Sequence, residues 1–245
     1  MPSSRALPVA LLALCVPRAA LAWPADADWD PVQDFGADLV DPCGDVNGNS
    51  WWDIVGDASD PAGYYHYDGT DIWFRLRIGG EPLNFRSNGD PRSWKNFGWG
   101  VMIESDWDST NVKYDFIIYV DGNNDQITLS ENTSGNTAFT TDAPEIDLST
   151  YTAPVAPSNS ASADHAGYVD AGTDLCGLNT TPADYFVDWY VPWADLAAAT
   201  GASDPSELYF VFGTSASSKA LLQGRRGLRQ QRAELPGLGR PRPQR

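Results

Sequence analysis

The chain has 245 residues with 33 acidic and 16 basic side chains, a formal net charge of −17, and ten tryptophans. Between Trp23 and Ser218 the imbalance is steeper, with 32 acids, 27 of them Asp, against six basic residues. Such a surface repels phosphate groups, which argues against nucleic acid or anionic lipid as partner. Asp also favours turns and caps over helix interiors, because its short carboxylate bonds nearby backbone N–H groups.

In chain order, Arg5 precedes the apolar run Ala6 to Val16, and Ala20-Leu21-Ala22 follows. This is the pattern of a secretory signal, residues 1–22, cleaved before Trp23. The run is too short to span a bilayer, and no later segment has 18 uninterrupted apolar residues, so no transmembrane segment is expected. Removal of the signal leaves Cys43 and Cys176. In an exported chain, these two are expected to form one disulfide, with two separate buried thiols as the alternative.

Tyr64 to Asp68 is aromatic and strand-like. Asp68-Gly69 then turns the chain into Ile72 to Ile78. Here Ile72, Phe74, Leu76 and Ile78 alternate with Trp73, Arg75 and Arg77, the period of a half-buried strand. Phe97 to Glu104 and Tyr114 to Val120 are expected as further strands. A hairpin loop at Asp121 to Asp125 leads into Gln126 to Glu131. Ser134 to Asp164 reads as long connections with weak strands. Tyr185 to Val191 and Leu208 to Thr214 are the last clear strands, separated by a short helix over Trp193 to Thr200 that stops at Gly201. Many strands and one short helix predict an all-β, antiparallel β-sandwich of jelly-roll or immunoglobulin-like type over residues 23–218.

Composition changes abruptly after Ser218. Residues 219–245 hold eight of the 16 basic residues, one acid and no aromatic side chain. They read as a basic, disordered tail, and the economical origin is a shifted coding frame, which would leave the sandwich short of its final strand.

The segment Asp45-Val46-Asn47-Gly48-Asn49-Ser50-Trp51-Trp52-Asp53 places oxygen side chains at alternate positions. Calcium takes six to eight oxygens from carboxylates and carbonyls, so Asp45, Asn47, Asn49 and Asp53 are the expected ligands of a structural calcium. The spacing starts like an EF-hand loop but has Ser50 at the sixth position and Gly56 at the twelfth, and no flanking helix pair. An Asx-rich turn without metal is the alternative. Glu104, Asp106 and Asp108 form a second, weaker acidic set at a strand end. Asp121 and Asp125 form a third, expected as a solvated turn. Trp73, Trp94 and Trp99 are candidates to grip a sugar by stacking, with a place in the core as the alternative for each.

Three stretches carry a resemblance: Asp71 to Arg77, Phe97 to Ile103, and Asp188-Trp189-Tyr190-Val191-Pro192-Trp193-Ala194-Asp195-Leu196. In order they resemble the strands of family 9 carbohydrate-binding modules and the related DOMON-like sandwiches. They are also similar to exported proteins of myxobacteria-like organisms. The resemblance implies a secreted, periplasmic or cell-surface role, sugar held between tryptophan rings, and structural calcium. It carries over to Trp73 and Trp99 only as candidates. The expected function is non-catalytic binding of carbohydrate or another surface ligand. A structural or adhesive surface protein and a glycoside hydrolase are the alternatives, since no catalytic motif is present and no carboxylate pair stands out.

Overall fold

The structure, a computed structural model, describes residues 22–34, 36–46, 49–85, 87, 91–106, 114–133, 146–158, 160, 163–177, 183–215 and 231–232. Nearly all of the signal segment and of the basic tail therefore lie outside the described residues. The strands are β1 (Asp30–Pro31), β2 (Gln33–Asp34), β3 (Ala37–Asp38), β4 (Gly63–Tyr67) and β5 (Asp71–Ile78). Then come β6 (Leu83–Phe85), β7 (Pro91–Trp94), β8 (Gly98–Glu104), β9 (Phe116–Asp121) and β10 (Gln126–Glu131). The last are β11 (Ile146–Thr152), β12 (Ala166–Asp170), β13 (Tyr185–Pro192), β14 (Tyr209–Ser215) and β15 (Gln231–Arg232), with helix α1 (Trp193–Thr200) between β13 and β14.

Two antiparallel sheets form the sandwich. One runs β1-β4-β5-β13-β12, the other β11-β10-β9-β8-β14-β15. Two small hairpins, β2-β3 and β6-β7, stand apart from them. The expected all-β sandwich with one short helix is therefore observed. Helix α1 begins where β13 ends, and Gly201 closes it in the left-handed region, φ 74°, with its N–H on the Ala197 carbonyl. That conformation is open to Gly without the Cβ penalty other residues meet.

The inward-facing set of β5, Ile72, Phe74, Leu76 and Ile78, joins Val187, Trp189 and Val191 of β13. Across the interface lie Val101 and Ile103 of β8, Ile118 and Val120 of β9, and Phe210 and Phe212 of β14. Period-two alternation thus builds one core between the sheets.

The expectation of a half-buried β5 needs correction: all eight of its residues are buried. The outward residues are covered by chain segments distant in sequence. Trp73 packs with Trp29 and Tyr190, and Trp23 lies against it at 5.0 Å. Arg75 makes two bonds to Asp188, 2.8 Å from Nε and 2.9 Å from Nη2, and lies over the Trp29 ring. Arg77 is buried and bound to Asp184 at 3.0 Å, to Asp60 at 2.9 Å and to the Thr173 hydroxyl. Two guanidiniums are tolerated inside because each is bonded to a carboxylate on the neighbouring strand or its lead-in. Asp188→Ala would leave Arg75 buried with the exposed Asp26 as its one ion-pair partner among the described residues. Urea unfolding of that variant is expected to show a loss of about 3–5 kcal/mol.

Cys43 and Cys176 form a disulfide with Cα atoms 5.4 Å apart, which settles the choice against two separate thiols. It joins the loop after β3 to the loop after β12. Of the basic tail, only β15 is described, and its backbone pairs with Tyr209 and Phe210 of β14. A short pairing of this kind uses main-chain groups and needs no side-chain pattern, so composition gives no sign of it. No helix among the described residues is long and apolar enough to cross a membrane.

Candidate metal centre

Strand β8 ends at Glu104, and the chain returns into β9 just after Asp115. The antiparallel pairing of these strands, with Ile103 opposite Phe116, puts the residues after β8 beside the residue before β9. Among the described residues, Glu104, Asp106 and Asp115 are the group that can each offer one carboxylate oxygen within 4.8 Å of the other two. Opposed oxygens around calcium, each about 2.4 Å from the ion, are about 4.8 Å apart, so three oxygens no further apart than this can share one ion.

Ser105 fixes Asp115, donating from its N–H at 2.9 Å and its hydroxyl at 2.6 Å to one carboxylate oxygen. Glu104 is 1% exposed. One of its oxygens accepts a long bond, 3.4 Å, from the Asp106 N–H, while Oε2 is buried with no hydrogen-bond partner. Asn132, after β10, donates its N–H to the Asp115 carbonyl and its amide to the Tyr114 carbonyl, at 2.8 and 3.0 Å. Its own Oδ1 is buried and unpartnered. A cleft of about 240 Å³ opens beside these groups, lined by Ser105, Asp106, Asp115, Glu131, Asn132 and Thr200.

Burial first, then the charge of Asp115 and a hydrogen bond with Asp106, push Glu104 up to about 8 from its ordinary 4.5. A carboxylate so placed either holds a proton or takes a cation. The donors are all oxygens, with no sulfur or imidazole, the kind that hard cations prefer. Sequence spacing finds Glu104 and Asp106 but not Asp115 or Asn132, which arrive from the next strands. The third residue of that set, Asp108, lies outside the described residues.

In the loop expected to bind calcium, Asp45 and Asp53 are at least half-buried and Asn49 faces solvent. Asn47 lies outside the described residues. Asn49 is exposed, and its carbonyl takes the Trp52 N–H at 3.0 Å, opening a short 3-10 turn over Ser50–Trp52. Asp53 is 1% exposed and accepts from the Gly44 N–H at 2.6 Å. Asp45 is half-buried and close enough to raise the affinity of Asp53 for a proton, after burial as the larger cause. The structure adds a carboxylate that spacing missed: Asp41, four residues before Asp45. At the hairpin tip, Asp121 accepts from the Asn123 N–H and the Asn124 amide, at 2.9 and 2.8 Å, as an Asx turn does.

Trp73, Trp94 and Trp99 are each fully buried, 0% exposed. No ring face of any of them is open to a ligand, which corrects their assignment as sugar-stacking residues. Trp94 donates to the Ala153 carbonyl at 2.9 Å and Trp99 to the Trp51 carbonyl at 3.1 Å, so both indoles serve as core struts. An aromatic residue with a buried N–H bond reads in sequence like one at the surface. Trp99→Ala is expected to cost about 3–5 kcal/mol in chemical denaturation, through the cavity it leaves.

The half-exposed rings lie elsewhere. Trp51 sits under the Lys95 ammonium, 3.6 Å from its centroid, and Lys95 donates to the Glu81 carbonyl at 2.6 Å. Tyr185 donates its hydroxyl to Glu81 at 3.1 Å. Comparison of the chain with protein-family models, curated proteins and solved structures finds no match.

Proposed function

We propose that this chain is an exported, disulfide-linked β-sandwich that binds calcium at Glu104, Asp106 and Asp115 and acts as a non-catalytic binding module. The observation that carries the reading is the convergence of three carboxylates on one point, with the buried Glu104 Oε2 lacking any donor. The disulfide supports export, since such bonds persist in oxidising compartments. Calcium suits that setting, and the site offers it three carboxylates with room beside them for further oxygens.

Carbohydrate is the ligand class we propose for the module. The half-exposed Trp51 and Tyr185, tied together through Glu81 and Lys95, support it: rings for the C–H face of a sugar stand beside charged groups for its hydroxyls. Polysaccharide pull-down tests this, with retention expected for the native chain and lost on Trp51→Ala.

Calcium at a hundred times its dissociation constant is expected to stabilise the fold by about 2.7 kcal/mol. Thermal melting with calcium and with chelator measures this. Glu104→Gln, which keeps the shape and removes the charge, is expected to reduce the calcium-dependent shift. An unchanged shift would defeat the assignment.

A further inference from the structure

A second group of buried acids lies at the far end of the sandwich. The register sets the separation. Glu104 is opposite Tyr209 at one end of the β8–β14 pair, and Gly98 is opposite Ser215 at the other. The loop containing Asp53 belongs to that second end, because Trp51 and Trp52 give their carbonyls to the Trp99 indole and the Thr214 hydroxyl. Six residues of strand, about 20 Å, lie between the two ends.

There Asp41 is 1% exposed, and neither of its carboxylate oxygens has a hydrogen-bond partner. Its backbone is pinned, with N–H and C=O both bonded to Gly56 at 3.0 Å. Its side chain is close to Asp45 and Asp53, both of which press on its charge. Asp53 uses one oxygen on the Gly44 N–H, and its Oδ1 is buried without a partner. Asp184, fully buried, adds a fourth charge close to Asp53, and its own Oδ1 also lacks a partner. The Arg77 guanidinium bonded to Asp184 is also committed to Asp60 and Thr173. Several unneutralised carboxylates inside a protein are costly, and lone buried oxygens add to that cost.

We propose that Asp41, Asp45 and Asp53 form a second binding site for a calcium-class cation, beside the Cys43–Cys176 disulfide. The donors are oxygens, and three carboxylates bound singly or in pairs supply three to six of the six to eight positions calcium takes. These side chains are spread more widely than those around Glu104. Closing on one ion takes rotation of a carboxylate or a bridging water. Cys43 and Gly44 lie between Asp41 and Asp45, so the disulfide ties this loop to the one after β12, while the cation would close it on itself. The Asp53 backbone carbonyl also accepts from the Gly79 N–H at 2.9 Å just beyond β5, so the cation would fasten this loop to the end of the first sheet.

The test is calcium binding to the full chain by titration calorimetry, with melting in calcium and in chelator. A Glu104→Gln background removes the other site. In that background, one calcium is expected to remain bound with a residual melting shift, and Asp41→Asn is expected to abolish both. At pH 8.5, where Asp41 is ionised, Asp41→Asn also relieves charge repulsion, so it is expected to melt no lower than its parent in chelator. Asp45→Asn, at a half-buried position, is the second variant and is expected to weaken calcium binding at least tenfold. Loss of all calcium binding on Glu104→Gln alone, or binding that survives both Asp substitutions, overturns the second site. The first of these results leaves the Glu104 assignment standing. Failure of Glu104→Gln to change calcium binding in the native chain bears on the Glu104 assignment alone.

Discussion

Paired Cys43→Ser and Cys176→Ser substitutions are expected to lower stability by about 5 kcal/mol, the chain-entropy value for so long a loop. The two cysteines are 133 residues apart in sequence, so the bond closes more than half of the chain. The effect arises mainly in the unfolded state, which gains freedom when the link is cut. A denaturant titration of oxidised and reduced protein reads it as a shift in midpoint. The link joins the loop after β3 to the loop after β12, the strand at one edge of the first sheet. That sheet's outer face is closed by Trp29 and by Thr173 on Arg77, from segments that run into those two loops. Reduction is therefore expected to loosen this cover first. Hydrogen exchange at the backbone amides of Val32 and Leu39 should rise before that of β8 and β9. A loss below about 1 kcal/mol would show that the loop ends are already held together without the bond.

The strands most legible in sequence are those with one apolar face and a sharp turn at each end. Gln126–Glu131 is an example: its predicted and observed limits agree, and its hairpin tip at Asp121 to Asp125 contains four turn residues. Helix α1 is equally plain, bracketed by Pro192 and Gly201. What escapes such reading is anything made by distant cover. The Arg75 and Arg77 positions look like a solvated face by period, yet Asp188 and Asp184, more than a hundred residues on, make them interior. Short strands such as β1, β6, β7 and β12 have too few residues to show a period. The same reason limits the site. Asp45 and Asp53 stand out through local spacing, and Glu104 and Asp106 by alternation. Asp41 and Asp115 belong to those groups only because a backbone bridge to Gly56 and the return into β9 carry them there. The tryptophans fail for a chemical reason: an indole is the same large apolar ring whether it stacks on a sugar or fills a core.

Raising the pH of calcium-free protein from 5 to 8.5 is expected to destabilise it by several kcal/mol, against the usual trend for carboxylates. Glu104 and Asp41 both carry the sign. Each is pushed up to about 8 in the fold, from 4.5 and 3.8, by burial first and by neighbouring acids second. The folded chain therefore binds these protons more tightly than the unfolded chain. The resulting stabilisation is complete below the unfolded values and is lost as pH climbs through 8. The slope is about 1.4 kcal/mol per pH unit for each proton while it is bound folded and free unfolded. Asp57 and Glu207, held low by hydrogen bonds from their own turns, act in the opposite direction, but both are fully exposed. Calcium reverses the outcome because it replaces the protons. Below pH 8 the ion must displace them, so its affinity rises up to tenfold per unit for each one released, and levels off above. The melting curves with calcium and with chelator should therefore lie close together at pH 5 and furthest apart near pH 8.5. Glu104→Gln and Asp41→Asn should each flatten the calcium-free slope, since an amide has no proton to lose in this range. A calcium-free protein that grows steadily more stable from pH 5 to 8.5 would show that these two carboxyls are ionised and solvated, and that neither end of the sandwich is built around a cation.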